Sequence, residues 1–213
     1  IALYRNIIPI NSTSVDFKLN NSINDGLKED YLLYVDSPID HFDRISREGK
    51  ISENNLNEFY SNLYTLLEKL GNLFQKKVYF TMHPSKLKNK NYYIEKFSKT
   101  KNIVLTESRT LDLVKNSKVV LFTHSTAILS AIVFKKKIIC IKSKHLGSHF
   151  SKLNEKYTKA LDLFSLNVDN NNFLEIKEIE KKINPKIEKY NDYINNNLSD
   201  GTMILSSKKI SNT

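Results

Sequence analysis

The sequence predicts an α/β protein built on a Rossmann-like parallel sheet with helices on both faces. Five short apolar runs of strand length recur along residues 31–142. Segments with helical spacing or helix-capping residues separate these runs, and strands that alternate with helices in this way are typical of βαβ units. Hydrophobic residues make up 40% of the 213 residues, which is enough to bury both faces of such a sheet.

One long helix is predicted between the first two strands of the sheet. We predict strands over 32–36, 78–82, 103–105, 119–122 and 138–141. Between the first two strands, apolar residues from Leu56 to Phe74 recur at spacings of three and four, which predicts an amphipathic helix. Asn55 and Glu58 are placed like the capping box of this helix.

The remaining helices are shorter and less regular. We predict them over 90–99, 110–116 and 126–134, with Thr110 capping the second and Ser125 or Thr126 capping the third. Further along, the pattern predicts a helix near 150–161, a last strand around 163–166 and a helix over 173–198 that Pro185 interrupts.

Three parts follow from this pattern. Residues 1–30 are predicted to be an irregular N-terminal segment or linker, 31–168 the Rossmann-like domain, and 169–213 a C-terminal helix with a tail. No apolar stretch approaches the roughly 20 residues that cross a bilayer, and the first residues lack the layout of a signal peptide. The single cysteine, Cys140, fits a reducing compartment. We therefore expect a cytoplasmic protein, either soluble or peripheral at the inner face of the plasma membrane.

The positive charge is concentrated in the middle of the chain. The formal net charge is +10, and residues 76–168 carry nineteen Lys and Arg against five Asp and Glu. One interpretation is a compositional bias that scatters lysine over the surface. The other is that this region faces an anionic ligand or an anionic membrane.

Polar residues follow the ends of four predicted strands. They are Asp36-Ser37, His83-Pro84-Ser85, Thr106 through Thr110 with Glu107, and Thr123-His124-Ser125-Thr126. The carboxyl ends of parallel strands share one edge of the sheet, and ligands bind at that edge where the strand order reverses. The convergence of these four strand ends predicts a binding site.

Two of these strand ends suggest specific chemistry. A helix that starts directly at Ser125 or Thr126 offers free backbone N–H groups to a phosphate, although a plain helix cap is the alternative. His83 stands at a strand mouth before a proline, where its imidazole can donate a hydrogen bond to a phosphate oxygen or exchange a proton near neutral pH. A purely structural histidine is the alternative there.

Other common sites find little support. His145 and His149 have the i, i+4 spacing of a metal pair but lack an evident third ligand, so we expect no metal site. With five glycines, the sequence contains no Walker A, G-x-G-x-x-G or G-x-S-x-G motif, which disfavours ATPase, dehydrogenase and α/β-hydrolase functions.

Residues 111–139 run in order through a short helix, a strand, a Ser/Thr-bearing turn, a small-residue helix and a strand. This succession resembles the nucleotide-sugar-binding, C-terminal half of GT-B glycosyltransferases. The His83-Pro84 dipeptide and the Ser125-Thr126 pair are similar to the His-Pro and Ser-Ser/Thr motifs of bacterial sialyltransferases and of Kdo-transferase-like enzymes of capsule and lipopolysaccharide synthesis. The resemblance covers about residues 31–142.

The resemblance implies a metal-independent glycosyltransferase without a cofactor, whose donor substrate is a nucleotide-activated sugar. The donor would be a CMP-linked acidic sugar, because both motifs contact CMP in those families, and the acceptor a saccharide or lipid-linked glycan of the cell surface. His83 would be catalytic and Asp36 or Glu107 would bind ribose or base. The other donor-binding residues implied are Pro84, Ser85, Thr110, His124, Ser125 and Thr126.

The sequence also departs from that family. The acidic motif that supplies the general base in the sialyltransferases has only a partial echo, Asn24-Asp25-Gly26. A GT-B enzyme normally has two Rossmann-like domains, whereas one set of strands is evident here. Either the acceptor domain lies outside this sequence, which begins with Ile1 rather than Met, or the protein is minimal.

Three alternatives to a CMP-sugar transferase remain. They are a UDP-sugar transferase, a 2-epimerase of the same architecture, and a non-catalytic α/β module that docks on an anionic membrane or polymer through residues 76–168. Nucleic acid is not an expected partner, because aromatic residues do not interleave with the basic ones in a recognisable module.

Overall fold

A computed structural model describes residues 12–20, 31–97, 100–170 and 175–198. Within this part of the chain, six parallel strands form one sheet in the order β3-β2-β1-β4-β5-β6. The strands are β1 (Tyr31–Val35), β2 (Lys77–Thr81), β3 (Ile103–Thr106), β4 (Val119–Phe122), β5 (Lys137–Lys142) and β6 (Phe164–Asn167). The predicted α/β class with a parallel sheet is confirmed.

Helices connect the strands and cover both faces of the sheet. They are α1 (Thr13–Asn20), α2 (Phe42–Glu48), α3 (Glu53–Phe74), α4 (Lys90–Phe97), α5 (Thr110–Asn116), α6 (Ile128–Val133), α7 (Ser148–Leu161), α8 (Ile176–Lys182) and α9 (Ile187–Asn197). Short 3-10 turns lie at Pro84–Asn89 and Lys144–Leu146.

The strand order reverses at the centre of the sheet. Leu33 of β1 lies opposite Tyr79 of β2 on one side and Val120 of β4 on the other. The chain fills the β2–β3 side first and then the β4–β6 side, so β1 and β4 form the switch point at which parallel α/β sheets bind ligands.

The central strands are buried on both faces. Leu32 and Tyr34 of β1 belong to one apolar cluster together with Leu63 of α3, whereas Leu33 and Val35 belong to a second cluster that includes α6. Side chains alternate between the faces of a strand, which explains why these runs are apolar throughout rather than at every second position.

The predicted helix caps are wrong at three positions. The Ser52 hydroxyl accepts from the Asn55 backbone N–H at 3.2 Å, so α3 begins at Glu53 and the Asn55–Glu58 capping box does not form. Thr110 is the first residue of α5, whose N-cap is Arg109. Ala127 is the N-cap of α6 and neither Ser125 nor Thr126 caps that helix, because a turn precedes it.

The first and last of the described helices, α1 and α9, pack beside this sheet. Pro185 separates α8 from α9, which confirms the predicted interruption. Residues 13–20 form a helix in a segment that we predicted to be irregular; the Ser12 N–H donates to the Leu198 carbonyl at 2.7 Å, and Lys18 donates to the Val133 carbonyl at 3.0 Å. The partial acidic motif Asn24-Asp25-Gly26 and the predicted tail after residue 198 lie outside the described residues.

Candidate ligand site

A cleft of about 530 Å³ opens at the carboxyl edge of the sheet, where β1, β2 and β4 end. Its floor is formed by the residues that follow or end these strands, and its walls by α1, α5 and α6. The polar residues that line it are Ser12, Thr13, Asp36, Thr81, His83, Thr110, Ser125, Thr126 and Ser130. The cleft therefore lies at the switch point that the topology defines.

The structure brings six of the nine predicted site residues to this cleft: Asp36, His83, Pro84, Thr110, Ser125 and Thr126. They come from three neighbouring strand ends and from the start of α5. The other three, Ser85, Glu107 and His124, do not line it. All three follow strands that end at this edge of the sheet, so a position after such a strand does not by itself place a residue in the cleft.

Glu107 and His124 are held by neighbours outside the cleft. The Glu107 carboxylate lies 3.5 Å from the Lys90 ammonium, and both side chains are about half exposed. The His124 ring packs on the Phe150 ring of α7, with 4.0 Å between ring centroids. Burial, followed by the charges of His41 and His83, lowers the pKa of His124 to about 3, so this ring is neutral near neutral pH.

His83 lines the cleft, and one of its ring nitrogens is held by Ser85. Its Nδ1 accepts from the Ser85 backbone N–H at 3.2 Å and lies 2.8 Å from the Ser85 hydroxyl. Because Nδ1 is an acceptor in this contact, the neutral ring carries its proton on Nε2, which can donate to a ligand. Burial, with further contributions from His41 and Lys86, lowers the pKa of His83, which favours the neutral ring. Ser85 is thus a residue that orients His83.

Ser125 is half-buried in the turn between β4 and α6. Its hydroxyl oxygen accepts from the Ala127 backbone N–H at 3.2 Å, and its carbonyl accepts from the Ile128 N–H at 3.3 Å. The hydroxyl proton is not used by the first of these contacts and can be donated into the cleft. Because α6 has six residues and starts after this turn, the Ser125 side chain matters here more than a helix dipole.

Asp36 is the most deeply buried charged group of the cleft, with 2% of its surface exposed. Its Oδ2 accepts from the Tyr93 hydroxyl at 3.1 Å, whereas its Oδ1 has no hydrogen-bond partner among the described residues. Burial raises the pKa of Asp36 from 3.8 to about 7, although Tyr93 and the His83 backbone N–H lower it in part. Both protonation states of this carboxyl are therefore populated near neutral pH.

Lys86, whose charge acts on Asp36, is already paired. The Lys86 ammonium donates to the Asp40 carboxylate, and His41 contacts His83 edge-on with 4.8 Å between ring centroids. His41 also lies 3.5 Å from the Asp43 carboxylate. The high lysine content of residues 76–168 thus does not translate into an unpaired lysine on the cleft floor within the described part of the chain.

Several residues that line the cleft were not predicted from the sequence. Ser12 and Thr13 come from the segment predicted to be irregular and reach the cleft because α1 packs on α6. Thr81 and Ser130 lie inside a strand and a helix, where polar residues are usually read as structural. The signal that could have identified Thr81 and Ser130 is a small polar residue within an otherwise apolar strand or helix.

No metal centre accompanies the cleft in the described ranges, where no group of three or more His, Cys, Asp or Glu side chains is placed to hold a metal ion. His145 faces Glu58, with 3.3 Å between Nε2 and the carboxylate oxygen. Among the same residues, no helix is both long and apolar enough to cross a membrane.

Comparison with known proteins yields matches in structure alone. No protein-family model matches the chain, and no curated protein does. The fold is similar to that of UDP-GlcNAc 2-epimerase from Methanocaldococcus jannaschii in complex with UDP-GlcNAc and UDP, at 15% identity and a TM-score of 0.48, over 88% of this chain and 53% of that one.

Two glycosyltransferases show weaker similarity. Thermosulfurimonas dismutans KpsC, a beta-Kdo 2,7 transferase, matches at 13% identity and a TM-score of 0.39 over 86% of this chain and 61% of its own. A family 9 glycosyl transferase from Veillonella parvula matches at 12% identity and a TM-score of 0.40 over 96% and 51%. The chain thus spans between half and two thirds of these proteins. At these TM-scores the similarity carries no argument about function, and the fold class rests on the observed sheet.

Proposed function

We propose that this chain is the donor-binding part of a metal-independent glycosyltransferase that uses a nucleotide-activated sugar. One observation carries the proposal. His83 and Ser125 belong to the two short motifs that resemble those of CMP-sugar enzymes, they follow different strands, and both line one cleft at the switch point of the sheet. The proposed donor is a CMP-linked acidic sugar, and the proposed acceptor is a saccharide of a surface glycan.

The cleft residues supply hydrogen bonds rather than a formal positive charge. In the proposed reaction, the bond between the sugar and the phosphate breaks, and negative charge develops on the leaving nucleotide. The Nε2–H of His83 and the hydroxyl of Ser125 would donate to that phosphate. Preorganised donors of this kind each contribute about 3 kcal/mol to the transition state in comparable sites.

The other polar residues of the cleft would hold the remainder of the nucleotide. Thr110 and Thr126 lie on the wall formed by α5 and the turn before α6, where hydroxyl groups suit the ribose and base. Glu107 is not assigned to this role, because its carboxylate lies outside the cleft beside Lys90. Its place at the end of β3, the outermost strand on that side, explains the difference.

Calorimetric titration and thermal melting of the chain with CMP, UDP and GDP test this proposal. We expect CMP to bind at one site and to raise the melting temperature of the chain more than UDP or GDP does. Stronger binding of UDP would replace the CMP donor by a UDP-sugar and would favour a UDP-sugar transferase or 2-epimerase. If none of the three binds, the proposed function is wrong. Salt-sensitive binding to vesicles of anionic lipid would then favour the docking module.

A further inference from the structure

Asp36 combines three features that few carboxyl groups share. It follows β1 directly at the switch point, it lines the cleft, and it is 2% exposed. One of its oxygens, Oδ2, is engaged by Tyr93, whose hydroxyl lies 3.3 Å from that of Tyr60. The other oxygen, Oδ1, makes no hydrogen bond of normal length and angle in the described part of the chain, although the His83 backbone N–H lies near the carboxyl. A buried polar atom without a partner is costly unless a ligand or water completes it.

The surroundings of Asp36 disfavour its negative charge. The neighbouring Asp40 adds a second carboxylate, and the Lys86 ammonium that offsets it is bound to Asp40 itself. A ligand phosphate would add a further negative charge in the same cleft. The titratable groups that face Asp36 from the elements packed around it are Tyr34, Asp40, Tyr60, His83, Lys86 and Tyr93.

We propose that Asp36 meets the bound nucleotide as a neutral carboxylic acid, with Oδ1 donating a hydrogen bond to an anionic phosphate oxygen, so that binding takes up a proton. This inference rests on the proposed function, because it takes the ligand to be a phosphate-bearing nucleotide. The proton comes from solvent, binds the free oxygen and forms no covalent bond to the ligand. Tyr93 fixes which oxygen this is, since its hydroxyl already donates to Oδ2.

If Asp36 Oδ1 instead accepted a hydrogen bond from the ligand, proton exchange on binding would have the opposite sign. A carboxylate that accepts a hydrogen bond from a ribose hydroxyl would be stabilised in its charged form and would release protons on binding. A phosphate charge in contact with the carboxyl raises its pKa by at least about one unit. From a starting pKa of about 7, the expected uptake at pH 7.5 is at least about half a proton per bound nucleotide.

Calorimetry of CMP binding at pH 7.5 in HEPES and in Tris measures this exchange, because the two buffers differ in their heat of ionisation. We expect uptake by the wild-type chain and its loss in Asp36→Asn. His83→Gln is the matched control, since His83 is the other titratable group among the described residues that line the cleft. This variant should bind CMP more weakly but retain the uptake.

Tyr93→Phe provides a second readout that does not depend on the folding of Asp36→Asn. The Tyr93 hydrogen bond lowers the pKa of Asp36, so its removal should move the pH of maximal uptake upward. Proton release, or equal uptake in wild type and Asp36→Asn, would overturn this inference alone. An unchanged pH of maximal uptake in Tyr93→Phe would also overturn it. Failure of every nucleotide to bind the wild-type chain would instead overturn the proposed function and the inference with it.

Discussion

Two stretches of the same sheet edge differ in how their polar atoms are used. After β5, the Ser143 hydroxyl donates to Asp169 at 3.1 Å, and the Lys144 ammonium donates to Glu58 at 2.7 Å. After β1 and β4, the Asp36 Oδ1 and the Thr123 hydroxyl are buried and make no hydrogen bond of normal length and angle in the described ranges. The buried His145 Nε2 after β5 also lacks such a bond, but it lies 3.3 Å from the Glu58 carboxylate. Both stretches follow buried strands and carry small polar residues.

The difference separates a structural loop from a candidate site. Polar atoms that pair with one another within the protein stabilise the local fold and offer little to a ligand. Polar atoms that are buried at the switch point without partners cost stability, and functional sites are where natural proteins retain such groups. We therefore propose ligand binding at the edge after β1, β2 and β4, and a structural role for the edge after β5.

The largest effect is expected from Asp36→Asn on stability. The unfolded chain loses the Asp36 proton near pH 4 and the folded chain near pH 7. The stability that this proton contributes is therefore present below pH 4 and lost as the pH rises to 7. Above pH 7, Asp36→Asn should be more stable than wild type by a few kcal/mol, at about 1.4 kcal/mol per pKa unit. Urea unfolding at pH 5 and pH 8 measures this difference, and a variant that is less stable at pH 8 would contradict the assigned cost of burial.

The next effect concerns the two donors. His83→Ala and Ser125→Ala should each weaken CMP binding by about tenfold, which corresponds to the loss of one hydrogen bond to a charged group. In an enzyme that contains the acceptor domain, they should reduce turnover by about 100-fold or more. Ser61→Ala, on the exposed face of α3, is the control and should bind CMP normally. Wild-type affinity in both cleft variants would remove these residues from the site.

Ser143→Ala tests the opposite side of the comparison. Ser143 is 7% exposed, and its hydroxyl donates to Asp169 and accepts from the His145 N–H at 3.1 Å. The loss of these bonds should reduce the free energy of unfolding by about 1 kcal/mol without changing CMP affinity. Chemical unfolding and calorimetry measure the two quantities, and a loss of CMP binding without a loss of stability would reverse our assignment of the β5 edge.

The smallest effect is expected from Glu58→Gln. The hydrogen bond from Lys144, followed by the charges of Lys144 and His145, lowers the pKa of Glu58 against the opposing effect of desolvation. Any stability from this pair is therefore present above the usual carboxyl pKa and lost as the pH falls. Because the Glu58 and Lys144 side chains are exposed, salt should screen the effect of this pair. Melting curves at low and high salt should differ slightly between variant and wild type at low salt only. A large difference that persists at high salt would show that this contact does more than pair charges.

The positions of strands and strand ends followed from the sequence, whereas the directions of side chains did not. Apolar runs predicted the sheet, and parallel pairing then required Asp36, His83 and Ser125 to share one edge. The ring of His124 turns to Phe150, which lies on α7, a helix that begins after the following strand. The sequence around His124 therefore could not predict its contact with Phe150.

The environment of Asp36 is a further example. Its bond to Tyr93 depends on α4, and Tyr93 lies 57 positions further along the chain. The sequence therefore suggested contact with ribose or base but contained no reason to expect a raised pKa. The prediction that Ser125 or Thr126 caps α6 was wrong for a local reason. The Ser125 hydroxyl accepts from the Ala127 N–H and forms a turn before the helix starts.

Amide hydrogen exchange with and without CMP tests the central assignment most directly, since it reports on both edges of the sheet in one measurement. We predict slower exchange on CMP binding at residues 36–38, 81–85 and 123–130, with no change at 143–146. Protection at 143–146, or nucleotide binding that leaves the amides after β1, β2 and β4 unprotected, would contradict the account.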